Sequence, residues 1–391
     1  MKDFTFYSPT KVFFGRGYEK QVGALIRGYG YRKVLLHYGG GSIKKSGLYD
    51  TVTQSLREAG VDSVELGGAQ PNPVLSLVRE GVDLCRREQV ELVLAVGGGS
   101  AIDSAKYIAV GAKNDCDPWL FATKQAVPTG ALPVADILTL SATGTETSGS
   151  AVITNDDTGL KRGYMSEYHR PLFSILNPEL TFTVSPYQTA CGIVDILMHT
   201  CERYMTDGGE SDLTDRVAEA VLQATVRAGR AAMADPCDYE ARATLMWAGS
   251  LSHNDLTGLG RDFFMVSHQL EHEMSGMFPE VAHGAGLAVV FPAWMRYVYK
   301  RALPRFCQYA VRVWGCELEF DHPERTAEAG IEATRAFFRS LGMPLTLGEL
   351  GIGADALERM AEKCTNDGGR TLPGWITYGK QEILEIYRLC L

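Results

Sequence analysis

Two short apolar runs, KVLLHY at 33–38 and ELVLAV at 91–96, each lead directly into three consecutive glycines and then into a stretch of helical periodicity. Between them lie helical patterns at 48–59 and 75–88 and a further strand-like run, DSVELGG, at 62–68. Strands that alternate with helices of this length build βαβ units, and βαβ units build a parallel sheet. Ligands on such a sheet bind at the carboxyl ends of the strands, which is where both glycine clusters fall.

Beyond about Pro186 the pattern changes. Long helical repeats at 189–205, 212–234, 239–256 and 326–341 dominate, and few strand-like runs remain. Asn177-Pro178 and Ser185-Pro186 interrupt the pattern near 180–188 and mark a boundary there. The expectation is an α/β N-terminal domain over 1–184, with a Rossmann-like, dinucleotide-binding parallel sheet. An all-α domain over 185–391 follows, with a cleft between the two. At 391 residues the chain is too long for one ordinary core, in keeping with two domains.

Composition narrows the function class. Apolar residues make up 45% and charged residues 22%, ordinary for a soluble globular protein. A net charge of −9 and a pI near 5.5 leave no basic surplus to neutralise phosphates, so no nucleic-acid partner is expected. Lys and Arg are scattered, no apolar run reaches the roughly 18 residues of a bilayer span, and the N-terminus lacks the apolar region of a secretion signal. No membrane partner is expected either. Nine cysteines, an odd count without a CxxC pair, point to free thiols in a reducing cytoplasm rather than to disulfides or a zinc knuckle.

In VLAVGGGSAIDSAK, 93–106, a strand gives way to three glycines, a serine and a helix start. Glycine lets backbone approach a ligand closely, and a helix N-terminus offers free N–H groups and partial positive charge to a phosphate. The loop matches neither GxGxxG nor GxxxxGK[ST], and three glycines exceed what a tight turn requires. The second cluster, HYGGGSIKKSG at 37–47, has Gly39 and Gly40 where many dinucleotide sites carry an acidic residue for the ribose hydroxyls. Ser42, Lys44 and Lys45 follow. Removing a carboxylate and adding a hydroxyl and two ammonium groups suits a ribose 2′-phosphate, hence NADP(H) over NAD(H).

The chain has eight histidines, and three of them, His268, His272 and His283, fall in VSHQLEHEMSGMFPEVAHGAG. Upstream, CGIVDILMHTCERYM sets Asp195 and His199 four apart, on one face of a helix, and His268 and His272 repeat that spacing. One carboxylate and three imidazoles suit Fe²⁺ or Zn²⁺. Spacing leaves open which of the three downstream histidines stays off the ion.

Together these residues resemble the iron-containing (group III) alcohol dehydrogenase family, closest to its NADPH-dependent butanol dehydrogenase and aldehyde reductase branch. The resemblance spans nearly the whole chain: FTFYSPTKVFFGRG, Pro71-Asn72-Pro73, GGGSAIDSAK, LTLSATGTETSGSAVIT, DILMHTCERY, the histidine stretch and ITYGKQEILEIYRLCL. It implies a dehydroquinate synthase-like two-domain architecture, a homodimer, and a small alcohol or aldehyde substrate. It implies Asp195, His199, His268 and His283 as metal ligands and His272 as the proton relay beside the substrate. Gly98, Gly99, Ser100 and Asp103 match the loop at the pyrophosphate and nicotinamide, Thr139 and Thr143 the segment beside them, and Asn72 the asparagine facing the cofactor. Gly39, Gly40 and Ser42 match the pocket for the 2′-phosphate. One departure stands at 141–146, where the branch often reads Pro-Ala-Thr-Gly-Ser-Glu and this chain has Ser-Ala-Thr-Gly-Thr-Glu.

The rival enzymes share the same superfamily: a dehydroquinate synthase-like lyase and a polyol or glycerol dehydrogenase. A lyase acting on phosphorylated acids calls for basic side chains around the metal, whereas 268–283 carries Glu271, Glu273 and Glu280 and no Lys or Arg. Phe263, Phe264, Met265 and Phe278 are candidates for an apolar pocket lining.

Overall fold

The computed structural model describes residues 1–206, 208–209 and 211–391. Its first compact unit, Tyr7–Val184, is the α/β layer. In chain order it runs β1 (Lys11–Phe14), α1 (Val22–Gly28), β2 (Lys33–Tyr38), α2 (Ser42–Lys45), α3 (Leu48–Glu58), β3 (Asp62–Leu66), α4 (Leu75–Glu88) and β4 (Leu92–Gly97). It continues with α5 (Gly99–Ala112), α6 (Trp119–Ala122), β5 (Val134–Leu138), β6 (Ser150–Asn155), β7 (Leu160–Met165) and β8 (Phe173–Leu176).

Six strands form one sheet in the order β1-β8-β5-β4-β2-β3, with every pairing parallel. β4 and β5 are buried along their whole length, as a central parallel strand covered on both faces must be. β2 and β4 are neighbours, yet β2 is succeeded by β3 on one side and β4 by β5 on the other. That reversal is a topological switch point, and the crevice outside the strand ends there is the usual ligand position in such sheets. The register pairs Tyr38 with Val96 and Gly97 with Leu138, so both glycine clusters leave the same edge of the sheet side by side. β6 and β7 form a separate antiparallel pair, which the sequence patterns do not reveal because both strands are short and mixed in polarity.

The second unit comprises Ser185–Leu391 together with Met1–Phe6. Its helices are α7 (Pro186–Tyr204), α8 (Asp212–Ala234), α9 (Tyr239–His253), α10 (Val266–Met277), α11 (His283–Val298), α12 (Leu303–Trp314), α13 (Pro323–Ser340), α14 (Leu357–Cys364) and α15 (Lys380–Arg388). The first six residues, read from sequence as part of the sheet domain, group here instead. The Lys2 amide donates to the Gly260 carbonyl at 2.8 Å, and its ammonium pairs with Asp262. Helix starts follow the capping chemistry. α7 begins at Pro186 rather than 189 because Ser185 accepts the Gln188 amide and Pro occupies the first turn. α9 stops at His253, shortly before Asp255 takes a left-handed backbone.

α7 is the axis of this unit. All residues from Thr189 to Tyr204 are buried, and α8, α9 and α11 pack against it. A helix enclosed on all sides has no solvated face for charge, so each ionisable group on it needs a partner.

Candidate metal centre and glycine loops

α7 carries three such groups on one stripe: Asp195, His199 and Glu202, at i, i+4 and i+7. Around Asp195 Oδ1 the structure brings His199 Nδ1 to 3.4 Å, His268 Nε2 to 3.6 Å and His283 Nε2 to 3.7 Å. His268 comes from α10 and His283 is the first residue of α11, so three helices contribute to one point. Asp195 Oδ1, His199 Nδ1 and His268 Nε2 are buried and have no hydrogen-bond partner among the described residues. Buried polar atoms are almost always satisfied. A carboxylate oxygen and imidazole nitrogens left facing one another are a donor set that fits a divalent cation.

The far side of two imidazoles is held by carboxylates. His268 Nδ1 donates to Glu202 Oε2, and His283 Nδ1 donates to Glu271 Oε2. Both donor pairs are short contacts between buried or half-buried groups. Glu202 also accepts the amide N–H of Ser267 and of His268, the latter at 3.3 Å, and so satisfies the free donors at the start of α10. Burial pushes His199 well below its ordinary value, helped by the neighbouring His253 and His268, so it is a neutral ring with a lone pair to offer. Burial opposes protonation of His268, but Glu202 and Asp195 outweigh it and raise the ring to about 9.

His272 lies one turn beyond His268, half-buried, with its ring centroid 5.6 Å from that of His283. Glu271, His272 and His283 also cluster, with one ligand-type atom of each within 4.8 Å of the others. Sequence reasoning missed Glu202, His253 and Arg203. The His253 ring packs edge-on against His199 with centroids 4.1 Å apart. Arg203, fully buried, donates to the His199 carbonyl at 2.8 Å and lies over the Phe263 ring. A basic group therefore does adjoin the cluster, although 268–283 contains none, and it is engaged by backbone and an aromatic face.

The glycine loops belong to the sheet unit. Gly98 caps α5, and a Cβ on Gly99 would fall 2.4 Å from Thr143 Oγ1, so the loop and the threonine segment touch there. Ser100 is half-buried in the first turn of α5, and the Thr139 amide donates to the Gly97 carbonyl at 2.9 Å. Asp103 is buried: one carboxylate oxygen accepts from Thr145 Oγ1 and the other from the Val152 amide. Lys106, also buried, donates to Thr145 Oγ1 and to the carbonyls of Thr145, Ser148 and Ser150. Thr145 thus retains the hydroxyl that this junction uses, although the family often has serine there. Asn72 takes a left-handed backbone at φ 58° and accepts from Lys161 Nζ at 2.9 Å.

At the end of β2, Gly39 is half-buried while Gly40 and Ser42 are exposed. Lys44 Nζ sits 5.1 Å from the centre of the Tyr38 ring and 4.8 Å from that of Tyr49, and both phenols donate to Glu65. The ammonium is held beside the loop by two aromatic faces.

Comparison with known proteins gives the family of the chain. Residues 9–178 match the family described as iron-containing alcohol dehydrogenase, and residues 189–391 match its C-terminal part. The chain is 44% identical over 389 residues to the NADH-dependent butanol dehydrogenase A of Clostridium acetobutylicum, covering 99% of both chains. It is 36% identical to the NADPH-dependent aldehyde reductase YqhD of Escherichia coli, covering 94% of each. Among solved structures, the NADH-dependent butanol dehydrogenase A of Thermotoga maritima superposes with a TM-score of 0.96 at 39% identity, over 100% of this chain and 99% of that one.

Proposed function

The chain belongs to the iron-containing alcohol dehydrogenase family, and on that premise we propose a metal-dependent alcohol dehydrogenase and aldehyde reductase that moves hydride between NADP(H) and a small primary alcohol or aldehyde. The observation that carries this reading is the approach of three imidazole nitrogens to Asp195 Oδ1 at 3.4, 3.6 and 3.7 Å. Asp195, His199, His268 and His283 would hold Fe²⁺ or Zn²⁺. Bound there, the ion supplies Lewis-acid polarisation of the substrate oxygen.

The residues of the chain then do the rest. Gly98, Gly99 and Ser100 present backbone and the α5 N-terminus to the pyrophosphate. Asp103 and Lys106 fasten the segment from Thr145 to Val152 to α5, and Lys161 holds Asn72. The bound nicotinamide would supply or accept the hydride, and His272, beside His283, would hold the proton that the substrate oxygen gains in reduction and loses in oxidation.

Relatives at 39–44% identity are named NADH-dependent and one at 36% NADPH-dependent, so the preference for NADP(H) rests on this chain's own residues alone. No acidic side chain stands at 39–42, Ser42 is exposed, and Lys44 is poised on Tyr38 and Tyr49. We also propose a homodimer in a reducing cytoplasm. An odd count of nine cysteines without a CxxC pair supports that compartment. Among the described residues no helix is long and apolar enough to cross a membrane.

The test is a panel of aldehydes with NADPH and NADH and of alcohols with NADP⁺ and NAD⁺, run on metal-stripped protein and after adding back Fe²⁺ or Zn²⁺. Turnover that returns with the ion and consumes NADPH stoichiometrically supports the reading. Activity indifferent to metal, or a reaction without net NADPH oxidation as in a lyase, contradicts it.

A further inference from the structure

A carboxylate enclosed by protein is costly unless its charge is used. Glu202 and Glu271 are both enclosed, at 1% and 0% exposure. Each spends an oxygen on the Nδ1 of a different imidazole, and in each case the opposite nitrogen, Nε2, is the one that faces Asp195. A carboxylate can only accept, so Nδ1 carries the hydrogen and Nε2 is left as the site for a cation in place of a proton. Glu202 is fixed by α7 and by two amides of α10. Glu271 is fixed by Gly286, where a Cβ would fall 2.8 Å from Glu271 Cγ. Neither glutamate is a member of the inner cluster of Asp195 and the imidazoles.

We propose that Glu202 and Glu271 are positioning residues of the metal centre: they set the tautomer and the ring orientation of His268 and His283, so that both imidazoles present Nε2 to one divalent ion. This rests on the metal-site reading given above. It also explains why, among the buried glutamates of the helical unit, one stands on α7 in register with Asp195 and one on α10 three residues after His268.

The test uses the full-length chain, stripped of metal and titrated with Co²⁺, which reports its ligand geometry through visible absorption. The wild type is expected to take up one ion per chain. Glu202→Gln and Glu271→Gln, near-isosteric and still able to accept one hydrogen bond, are expected to bind Co²⁺ about 10- to 100-fold more weakly with an altered spectrum. NADPH binding and the unfolding midpoint of the metal-free protein should stay at wild-type values. Wild-type affinity and spectrum in both variants would overturn the positioning role while leaving the metal site standing. Weakened binding accompanied by an equally lowered metal-free midpoint would overturn it too, since a purely structural role does that. If His268→Ala binds Co²⁺ as the wild type does, the site itself is misassigned and the proposal falls with it.

Discussion

A Cβ on Gly284 would lie 2.2 Å from the carbonyl oxygen of Cys191, so the first turn of α11 rests on the backbone of α7 one turn before Asp195. No side chain fits that gap. Gly284→Ala must therefore push α11 away and carry His283 off its 3.7 Å approach to Asp195. The expected cost is about 1–3 kcal/mol of stability from overpacking, together with lower metal content after dialysis. Calorimetry and metal analysis check both; an alanine variant with full metal content would show that α11 can shift without disturbing the centre.

His268 contributes Nε2 from within a buried cluster and is held by Glu202. Replacing it by alanine removes one of the four proposed ligands. Bound metal should fall to background, and turnover should drop by about a thousandfold or more, the loss of several kcal/mol of charge stabilisation. NADPH should bind as before, because the glycine loops lie in the other unit. Normal turnover in this variant refutes the ligand assignment.

Gly39 directly follows β2, and a Cβ there would fall 3.2 Å from the Ala69 carbonyl. In the proposed 2′-phosphate pocket an aspartate there would accept from a ribose 2′-hydroxyl and repel a 2′-phosphate. Gly39→Asp is expected to move the ratio of kcat/KM for NADPH over NADH toward NADH by about tenfold, the worth of one charged hydrogen bond. A ratio left at the wild-type value counts against the pocket for the 2′-phosphate.

Gly99 makes room for Thr143, whose hydroxyl would lie 2.4 Å from an added Cβ. Gly99→Ala should weaken nucleotide binding, since loop and threonine segment can no longer both keep their places, and should leave metal affinity unchanged. Isothermal titration with NADPH and with Co²⁺ separates the two effects. Equal loss of both ligands would mean general unfolding rather than a local collision.

His37 is buried between Leu66 O, 2.8 Å from Nδ1, and Ser104 Oγ, 2.9 Å from Nε2, and so links β2 and β3 to α5. Burial pushes its pKa down to about 4 from 6.5. The unfolded chain takes up that proton near 6.5 and the folded one only near 4, so unfolding consumes protons in between. Stability therefore falls as pH drops through this window, by about 3 kcal/mol from His37, and levels off below it. His169, lowered to about 3 mainly by burial, adds to the same trend. Denaturant unfolding between pH 7 and pH 4 should show the slope, and His37→Gln should reduce it.

Much of this was legible in the chain because the signals are local. KVLLHY and ELVLAV could only be interior strands, and both are found as neighbours at the switch point of the sheet. Asp195 and His199, four apart on a helix, had to share a face. The hairpin of β6 and β7 was not legible, and neither was the start of the chain, whose Lys2 is bound to Gly260 and Asp262 far along the sequence. Glu202 is one of 47 acidic residues, and nothing in its neighbourhood in sequence marks it as the partner of His268. Lys106 and Thr145 meet across 39 positions, Asn72 and Lys161 across 89.

By itself the sequence determined the alternation of strands and helices, the glycine turns at the strand ends and the kinds of ligand atom available, because periodicity and residue chemistry act over a few positions. Only the tertiary structure decided that three helices bring their imidazoles to within 4 Å of one carboxylate oxygen, which nitrogen of His268 and His283 faces inward, and which glutamates hold them there. Those outcomes depend on close backbone approaches, such as that of Gly284 to Cys191, and on the cost of enclosing a charge without a partner. Both are set by packing between segments distant in the chain.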